Sequence, residues 1–392
     1  MSRFYTAQEA ATRLGVSRNT LYAYVSRGLV RSEQDSSRKR TRRYHAQDVD
    51  RLATRSEIHK SPATALKKAT DWGAPLLDSS ITLIEDENFF YRGKSVLDLA
   101  EQASFENTIT LLWETDGRQH LKDLSLRSMV EQCLEQLPAS EWPVDSFLWL
   151  LSSLNERDVR AFSFDPATAT QAGYAMLNGL MRVITGDWPE SPVAATLAAY
   201  WQCDHEQQKL IEAALTLVAD HELNMSSFVA RCAASSGCSP YAAIAAASHT
   251  FFGRRHGGNT ERIYGLFNEA DGCGGLYNAI SSRLKRGDSV PGFGHRLYDV
   301  DPRAKYILSR LPDSRGEVRT ALESSEELLN GLHPTVDFAL LLLERDLVLP
   351  PKAGVLIFYL GRLVGWVAHI IEQYQQGTLI RPRARYIGKN LS

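Results

Sequence analysis

Cysteine is scarce in this 392-residue chain, and the five present are scattered. Cys133, Cys203, Cys232, Cys238 and Cys273 form no CxxC pair and no metal-ligand spacing. That excludes a zinc ribbon or a thioredoxin-type motif, and no metal site is expected. An odd, dispersed set fits free thiols in a reducing cytoplasm. No G-x-G-x-x-G and no Walker loop occurs, so the usual phosphate cradles of nucleotide folds are missing. No period of 20–50 residues marks a solenoid. The opening MSRFYTAQEAA has no apolar h-region and reads as no signal peptide, which again points to the cytoplasm. The longest apolar run, AGVLIFYLGRLVGWVAHII (353–371), is interrupted by Arg362 and His369, and a charge in mid-span argues against a membrane helix.

What is present is ordinary for a globular protein: 44% hydrophobic and 23% charged residues. The length allows two or three domains. Charge is unevenly spread. Residues 1–60 hold 13 Lys and Arg against 6 Asp and Glu, a balance of +7, while the remainder carries −9. A basic head on an acidic body suggests a separate head with an anionic partner.

FYTAQEAATRLGVSRNTLYAYVSRGLV reads as two short helices. Thr6 caps the first and Glu9 completes a capping box. Ala10, Ala11 and Leu14 give it an apolar face, and Gly15 ends it. Ser17 caps a second helix that runs to Gly28. Two helices about a glycine turn make a helix-turn-helix. The run Arg38, Lys39, Arg40, Arg42, Arg43 sits in a polar loop that looks like a wing, and HAQDVDRLATR is a further helix. This head, residues 1–55, resembles the MerR-type winged helix-turn-helix. The resemblance implies that helix 18–27 enters a major groove with Arg18, Asn19 and Tyr22 forward and the wing arginines on phosphates. The alternative is a retained fold that serves packing or dimer contacts. Residues 56–75 are polar without apolar period and read as linker.

From about Leu76 the pattern is nearly all helical. The exception is 81–100, where alternation, an acidic turn and an aromatic run predict a small hairpin before a helix. SPYAAIAAASHTFFG is apolar on nearly all sides and is expected to be buried. Four segments stand out: ADHELNMSS with His221, GRRHGGNTE with His256, GFGHRLYDVDPRAK with His295 and Arg303, and HPTVDFALLLLE with Asp337. Each has a plain reading alone. A lone histidine is usually a satisfied polar group, and Asp337 has the look of an N-cap for helix 338–345. Arg362 is harder to dismiss. It lies among Leu360, Leu363, Val364 and Trp366, and no acid stands at helical spacing from it. A buried guanidinium needs a partner. Either a ligand carboxylate or a distant Asp or Glu supplies one, and the fork geometry suits a bidentate pair.

Taken in order, SSITLIEDENFFYRGKSVLDLAEQASFENTITLLWE, DHELN, HGG, VPGFGHRLY…DPRA, VDF, GRLVGWVAHIIEQ and IRPRARYIG resemble the citrate synthase family over residues 76–392. The resemblance implies an all-α, two-part helical body with a small N-terminal hairpin. The large domain would take residues 76–256 and 341–392, and a small lid domain residues 257–340. It implies condensation of acetyl-CoA with oxaloacetate, then thioester hydrolysis, with the CoA thioester as substrate and no cofactor. Asp337 would remove the methyl proton, His256 would donate to the enol oxygen as neutral imidazole, and His295 would polarise the ketone. Ser226 would fix the His256 tautomer. His221, Arg303 and Arg362 would bind the 2-oxo acid, and Arg381 would reach into the partner's site of a homodimer. The stretch Val290, Pro291, Gly292, Phe293, Gly294 would line the adenine end of CoA through backbone groups. The resemblance includes no membrane association.

Departures from the family pattern bear on substrate rather than reaction type. Asn259-Thr260-Glu261 follows His-Gly-Gly where Ala-Asn-Glu is common, Arg254-Arg255 replaces a common Pro-Leu, and the loop from His295 to Arg303 is one residue short. Arg254 or Arg255 is expected to contact a CoA phosphate or an altered substrate tail. Two further readings stay open: a 2-methylcitrate synthase that uses propionyl-CoA, and a DNA-binding metabolite sensor with a non-catalytic body. An ionised Asp337 beside neutral imidazoles predicts a broad activity plateau near neutral or mildly alkaline pH.

Overall fold

The computed structural model describes residues 4–34, 42–46, 48–49, 52–53, 77–85, 87–115, 124–136, 140, 142–384, 386 and 388–389. The chain divides into two units, Met1–Asp78 with Pro382–Ser392, and Ser79–Arg381. The linker expected at 56–75 and the wing residues Arg38, Lys39 and Arg40 lie outside the described residues.

In the first unit the capping signals act as read. Thr6 Oγ1 accepts from Glu9 N at 3.3 Å, and Glu9 Oε2 accepts from Thr6 N at 2.8 Å. The helix Ala7–Leu14 ends at Gly15 with φ 64°, and Ser17 caps the helix Arg18–Ser26. Ala10, Ala11, Leu14 and Leu21 join Val30, Tyr44, Val49 and Ala53 in a small core. Three short strands complete the unit: Phe4–Thr6, Ser32–Gln34 and Arg42–His45, antiparallel, with the last in the middle. Arg42 and Arg43, expected in a loop, therefore lie on the central strand. Tyr44 is the one buried residue of that strand, set between Arg43 and His45, so its polar neighbours hid the period-2 signal.

The second unit opens with the expected hairpin, Thr82–Glu85 against Asn88–Tyr91, extended by Lys94–Ser95. Helices follow almost without interruption. Their centre is Ala353–Gln376, buried from Ala353 to Gln373. It is long and apolar enough to cross a membrane, yet it is wrapped by protein along that length. Two glycines let the segment 215–220 approach it. A Cβ at Gly361 would lie 2.7 Å from the Leu215 carbonyl oxygen. One at Gly365 would lie 2.2 Å from the Ala219 carbonyl oxygen and 2.8 Å from Asp220 Oδ1. Backbone contact at that range needs glycine, and it brings His221 beside the turn that carries Arg362. The helix Pro240–Phe251 departs from expectation. Tyr241, Ala243, Ile244, Ala247 and Phe251 are buried, but Ala242, Ala245 and Ala246 remain half-buried, so only one face is enclosed.

Gly365→Ala is therefore expected to lower stability by about 1–3 kcal/mol. Gly272→Ala, in a helix with no atom near the new methyl, is expected to leave it unchanged or raise it by about 0.5–1 kcal/mol. Thermal unfolding of the two variants against the parent checks both.

Candidate active site

Two loops are paired to build the site. Thr335 N and Oγ1 donate to the Gly292 carbonyl at 2.8 and 3.2 Å, and Gly294 N donates to the His333 carbonyl at 2.8 Å. Gly292 and Gly294 have φ of 87° and 79°, and a Cβ on Gly292 would lie 2.7 Å from Phe338. Phe293 packs on Phe338, ring centres 4.8 Å apart. Pro291 and Gly292 are buried, and Val290 packs partly against the main core. The expectation that this turn offers its backbone to CoA needs correction at Gly292 O and Gly294 N, which are already bonded to the facing loop. What the pairing does is set His295 beside the start of the helix Val336–Asp346. Thr335 is the N-cap of that helix, without a side-chain cap bond. Asp337 sits in its first turn and is no N-cap, so the capping alternative falls.

Asp301 ties the two sides together. It caps the helix Pro302–Leu308, with proline at the first helical position as the local geometry favours. Its Oδ1 accepts from Arg303 N at 3.1 Å and Nε at 2.9 Å. Its Oδ2 accepts from Arg303 Nη2 at 2.9 Å and from Val336 N at 3.1 Å. Both side chains are buried. Burial works to raise the Asp301 carboxyl, but the Arg303 guanidinium and its hydrogen bonds hold it below the usual range. Arg303 therefore arrives already paired, a fact the sequence reading missed. The signal was the Asp-Pro-Arg order itself, a cap followed two residues later by a cation.

His295 Nδ1 accepts from Leu297 N at 3.1 Å, which puts the ring proton on Nε2. Arg303 Nη2 stands 3.5 Å from that nitrogen. Both are donors, so they do not bond each other; they face a place where an acceptor belongs. Burial first, then the Arg303 charge, pull the His295 pKa down to about 4, so the ring is neutral near pH 7. The His221 ring lies 5.5 Å from the His295 ring, and its Nε2 is 2.9 Å from Tyr298 Oη. Burial and the nearby Arg303 keep it well below the usual histidine value. Tyr298, which sequence reasoning left unassigned, is buried against His295 at 4.9 Å between ring centres.

His256 Nε2 is 2.7 Å from Ser226 Oγ, as expected. Trp366 Nε1 donates to that oxygen at 3.0 Å. The single hydroxyl proton then has two acceptors, His256 Nε2 and Asn224 Oδ1 at 2.8 Å. Asn224 Oδ1 already receives two backbone N–H groups. Donation to His256 leaves the imidazole proton on Nδ1, free for a ligand oxygen. Burial brings the His256 pKa down to about 3.

Arg362 Nε donates to the Val218 carbonyl at 3.0 Å, and its guanidinium lies 5.1 Å from the Phe358 ring centre. No carboxylate among the described residues comes within ion-pair distance of it. Burial lowers its pKa to about 10, partly opposed by Asp220. Asp220 itself is enclosed, bonded by Thr82 Oγ1 at 2.6 Å and His369 Nε2 at 3.2 Å. Burial pushes Asp337 up to about 6, against the lowering influence of Arg303 and Arg362 and a hydrogen bond from the Asn259 side chain.

Arg254 and Arg255 are exposed and line a cavity of about 850 Å³ with Trp142, Phe252, Arg262 and Lys352. Arg262 reaches from there to Ser289 Oγ at 2.7 Å, next to Val290. Arg381 is exposed. In the first unit Arg18, Asn19 and Tyr22 are exposed on one helix, with the Arg18 fork resting on Gln8 Oε1 at 2.7 and 3.1 Å. Among the described residues no group of three or more His, Cys, Asp or Glu side chains is placed to hold a metal ion.

The family profile described as citrate synthase, C-terminal domain, matches residues 70–383, and one described as helix-turn-helix domain matches 4–56. Citrate synthase 2 of Bacillus subtilis is 30% identical over 351 residues, covering 81% of this chain and 94% of that one. Citrate/2-methylcitrate synthase of the same organism is 28% identical over 340 residues, covering 78% and 91%. The crystal structure of citrate synthase from Thermotoga maritima superposes with a TM-score of 0.64 at 25% identity, covering 82% and 96%.

Replacing Asp301 by Ala strands the buried Arg303 charge and is expected to cost about 3–5 kcal/mol. Asp301→Asn, which keeps an acceptor for Val336 N, is expected to cost less. Urea denaturation of the two variants separates these outcomes; equal, small losses would show that the pair holds nothing together.

Proposed function

Because the chain belongs to the citrate synthase family and carries an N-terminal helix-turn-helix domain, we propose that it condenses acetyl-CoA with oxaloacetate and hydrolyses the thioester to citrate and CoA. The observation that carries this reading is the pair of donors, His295 Nε2–H and Arg303 Nη2, 3.5 Å apart, with no acceptor among the described residues shared between them. A 2-oxo acid supplies that acceptor. Its ketone oxygen accepts a hydrogen bond from His295 Nε2–H, and its carboxylates meet Arg303 and Arg362, with a donor from His221. Asp337 takes a proton from the acetyl methyl group, and the resulting enol oxygen receives the Nδ1–H of His256. The enolate carbon attacks the polarised ketone: the carbon–carbon bond forms, the thioester carbonyl is restored, and the ketone oxygen becomes an alkoxide that takes up one proton in place of the one Asp337 removed. Water then cleaves the thioester and CoA leaves as the thiol. All three imidazoles work neutral. That suits donation of hydrogen bonds without full proton loss.

The cavity lined by Arg254, Arg255, Arg262 and Lys352 has the charge to receive the phosphates of CoA. Residues 257–340 act as a lid that excludes water on closure. A homodimer, with Arg381 entering the partner's site, covers the half-buried face of Pro240–Phe251. Propionyl-CoA in place of acetyl-CoA is the nearest alternative chemistry.

Thiol release from acetyl-CoA that depends on oxaloacetate tests the reading, with propionyl-CoA and other 2-oxo acids run alongside. No thiol release with any pair sinks it. Turnover should rise as pH climbs through about 6, where Asp337 ionises, and stay level into mildly alkaline pH. Asp337→Asn should lower kcat by at least about 100-fold. The same change should stabilise the protein above pH 6. The folded pKa of Asp337 lies above its ordinary 3.8, so ionisation penalises the fold once pH exceeds about 6 and not below about 4.

The helix-turn-helix unit supports a second reading, in which the head binds DNA while the body senses or converts its ligands. Arg18, Asn19 and Tyr22 stand ready for base edges, with Arg42 and Arg43 on the adjoining strand. Electrophoretic shift of promoter DNA should weaken steeply with salt and drop on Arg18→Ala. Shifts that ignore salt, and ignore alanine at each of Arg18, Asn19, Tyr22, Arg42 and Arg43, reject it.

A further inference from the structure

Tyr298 is engaged by no step of the reaction above, yet it lies among three of the groups that bind the 2-oxo acid. Its side chain is buried. Its Oη is 2.9 Å from His221 Nε2, its one hydrogen-bond partner among the described residues. Its ring stacks on His295 at 4.9 Å and 30°, and the Arg303 guanidinium carbon lies 6.0 Å from its centre. We propose that Tyr298 is a positioning residue: its phenol proton holds His221 as the Nδ1–H tautomer, and its ring braces His295, so that both imidazoles present an N–H to one ligand.

Proton counting carries the argument. One proton lies between Oη and Nε2 in either arrangement. If the phenol donates, Nε2 accepts and His221 keeps its own proton on Nδ1. If His221 donates, the phenol hydrogen is left without an acceptor among the described residues, at a cost comparable to a lost hydrogen bond. His221 would also turn a lone pair toward a ligand carboxylate, where the two repel. Charged groups around the phenol are Arg303, Asp301 and Glu222. Burial, the leading influence, keeps the phenol protonated, so the donor persists at every pH at which the enzyme would work. His295 already has its tautomer set by Leu297 N. The two histidines thus reach the same donor state by different means, one through backbone and one through a tyrosine.

The kinetic consequence rests on the condensation reading; the tautomer does not. The test uses the full chain labelled with nitrogen-15 at histidine. Long-range proton–nitrogen correlation at pH 7.5 reports the tautomer, with His221 assigned through His221→Gln. The parent is expected to show His221 as Nδ1–H, and Tyr298→Phe to move it to Nε2–H or to a mixture. In the active enzyme Tyr298→Phe should raise the oxaloacetate KM roughly tenfold, one hydrogen bond's worth, with the acetyl-CoA KM changed less than about twofold. A parent already in the Nε2–H form, or nitrogen shifts untouched by the substitution, overturns the proposal. So does a changed tautomer with an unaltered oxaloacetate KM. If the nitrogen signals move as stated while neither protein turns over or binds oxaloacetate, Tyr298 stands as the positioning residue and the condensation reading is what fails.

Discussion

A buried carboxylate between a guanidinium and a helix end holds this site in register. Asp301 bonds Arg303 twice through its side chain and Val336 once through its backbone. Arg303 is thereby aimed at His295, and the first turn of the helix bearing Asp337 is fixed to the same point. Taking either charge out of water alone is costly. Together, with further N–H groups on the remaining lone pairs, they form a joint between two helices, through residues 35 positions apart in the chain.

Around that joint the electrostatics lean one way. Arg303 is paired, but Arg362 has no carboxylate within bridging distance among the described residues, and the opposing charge that acts on it most is that of the enclosed Asp220. His221, His256 and His295 are all held neutral, burial being the first cause in each. Asp337 is pushed up to about 6. A pocket rich in N–H donors and short of acceptors is complementary to a small polyanion carrying a carbonyl. That complementarity depends on low dielectric as much as on residue identity, because the same side chains in water would keep their ordinary protonation states.

Much of this was legible in advance. The capping box of Thr6 and Glu9, the glycine stop at Gly15 and the hairpin within 81–100 follow from local rules that act within a few residues. The link from Ser226 to His256 came from family resemblance, and the lack of an acid near Arg362 from helical spacing. What escaped was non-local or masked. Asp301 looked like an ordinary helix cap, since nothing in the order Asp-Pro-Arg says that Val336 will come to its other oxygen. Tyr298 looked like one more aromatic in a loop. The central strand of the head was hidden because Tyr44, its one buried residue, stands between Arg43 and His45. Enclosure of Pro240–Phe251 was overestimated, because an alanine-rich helix looks apolar on every side whether or not a neighbour covers it.

Sequence alone determined most of the elements, several caps, the family and the candidate side chains of the site, because these depend on residue type and short-range spacing. Tertiary structure alone decided which nitrogen of each imidazole holds the proton, which arginine is already neutralised and how far Asp337 rises above its ordinary value. Those properties are set by atoms brought within about 3 Å from distant parts of the chain, and by the exclusion of water around them. Neither exists until the helices have packed.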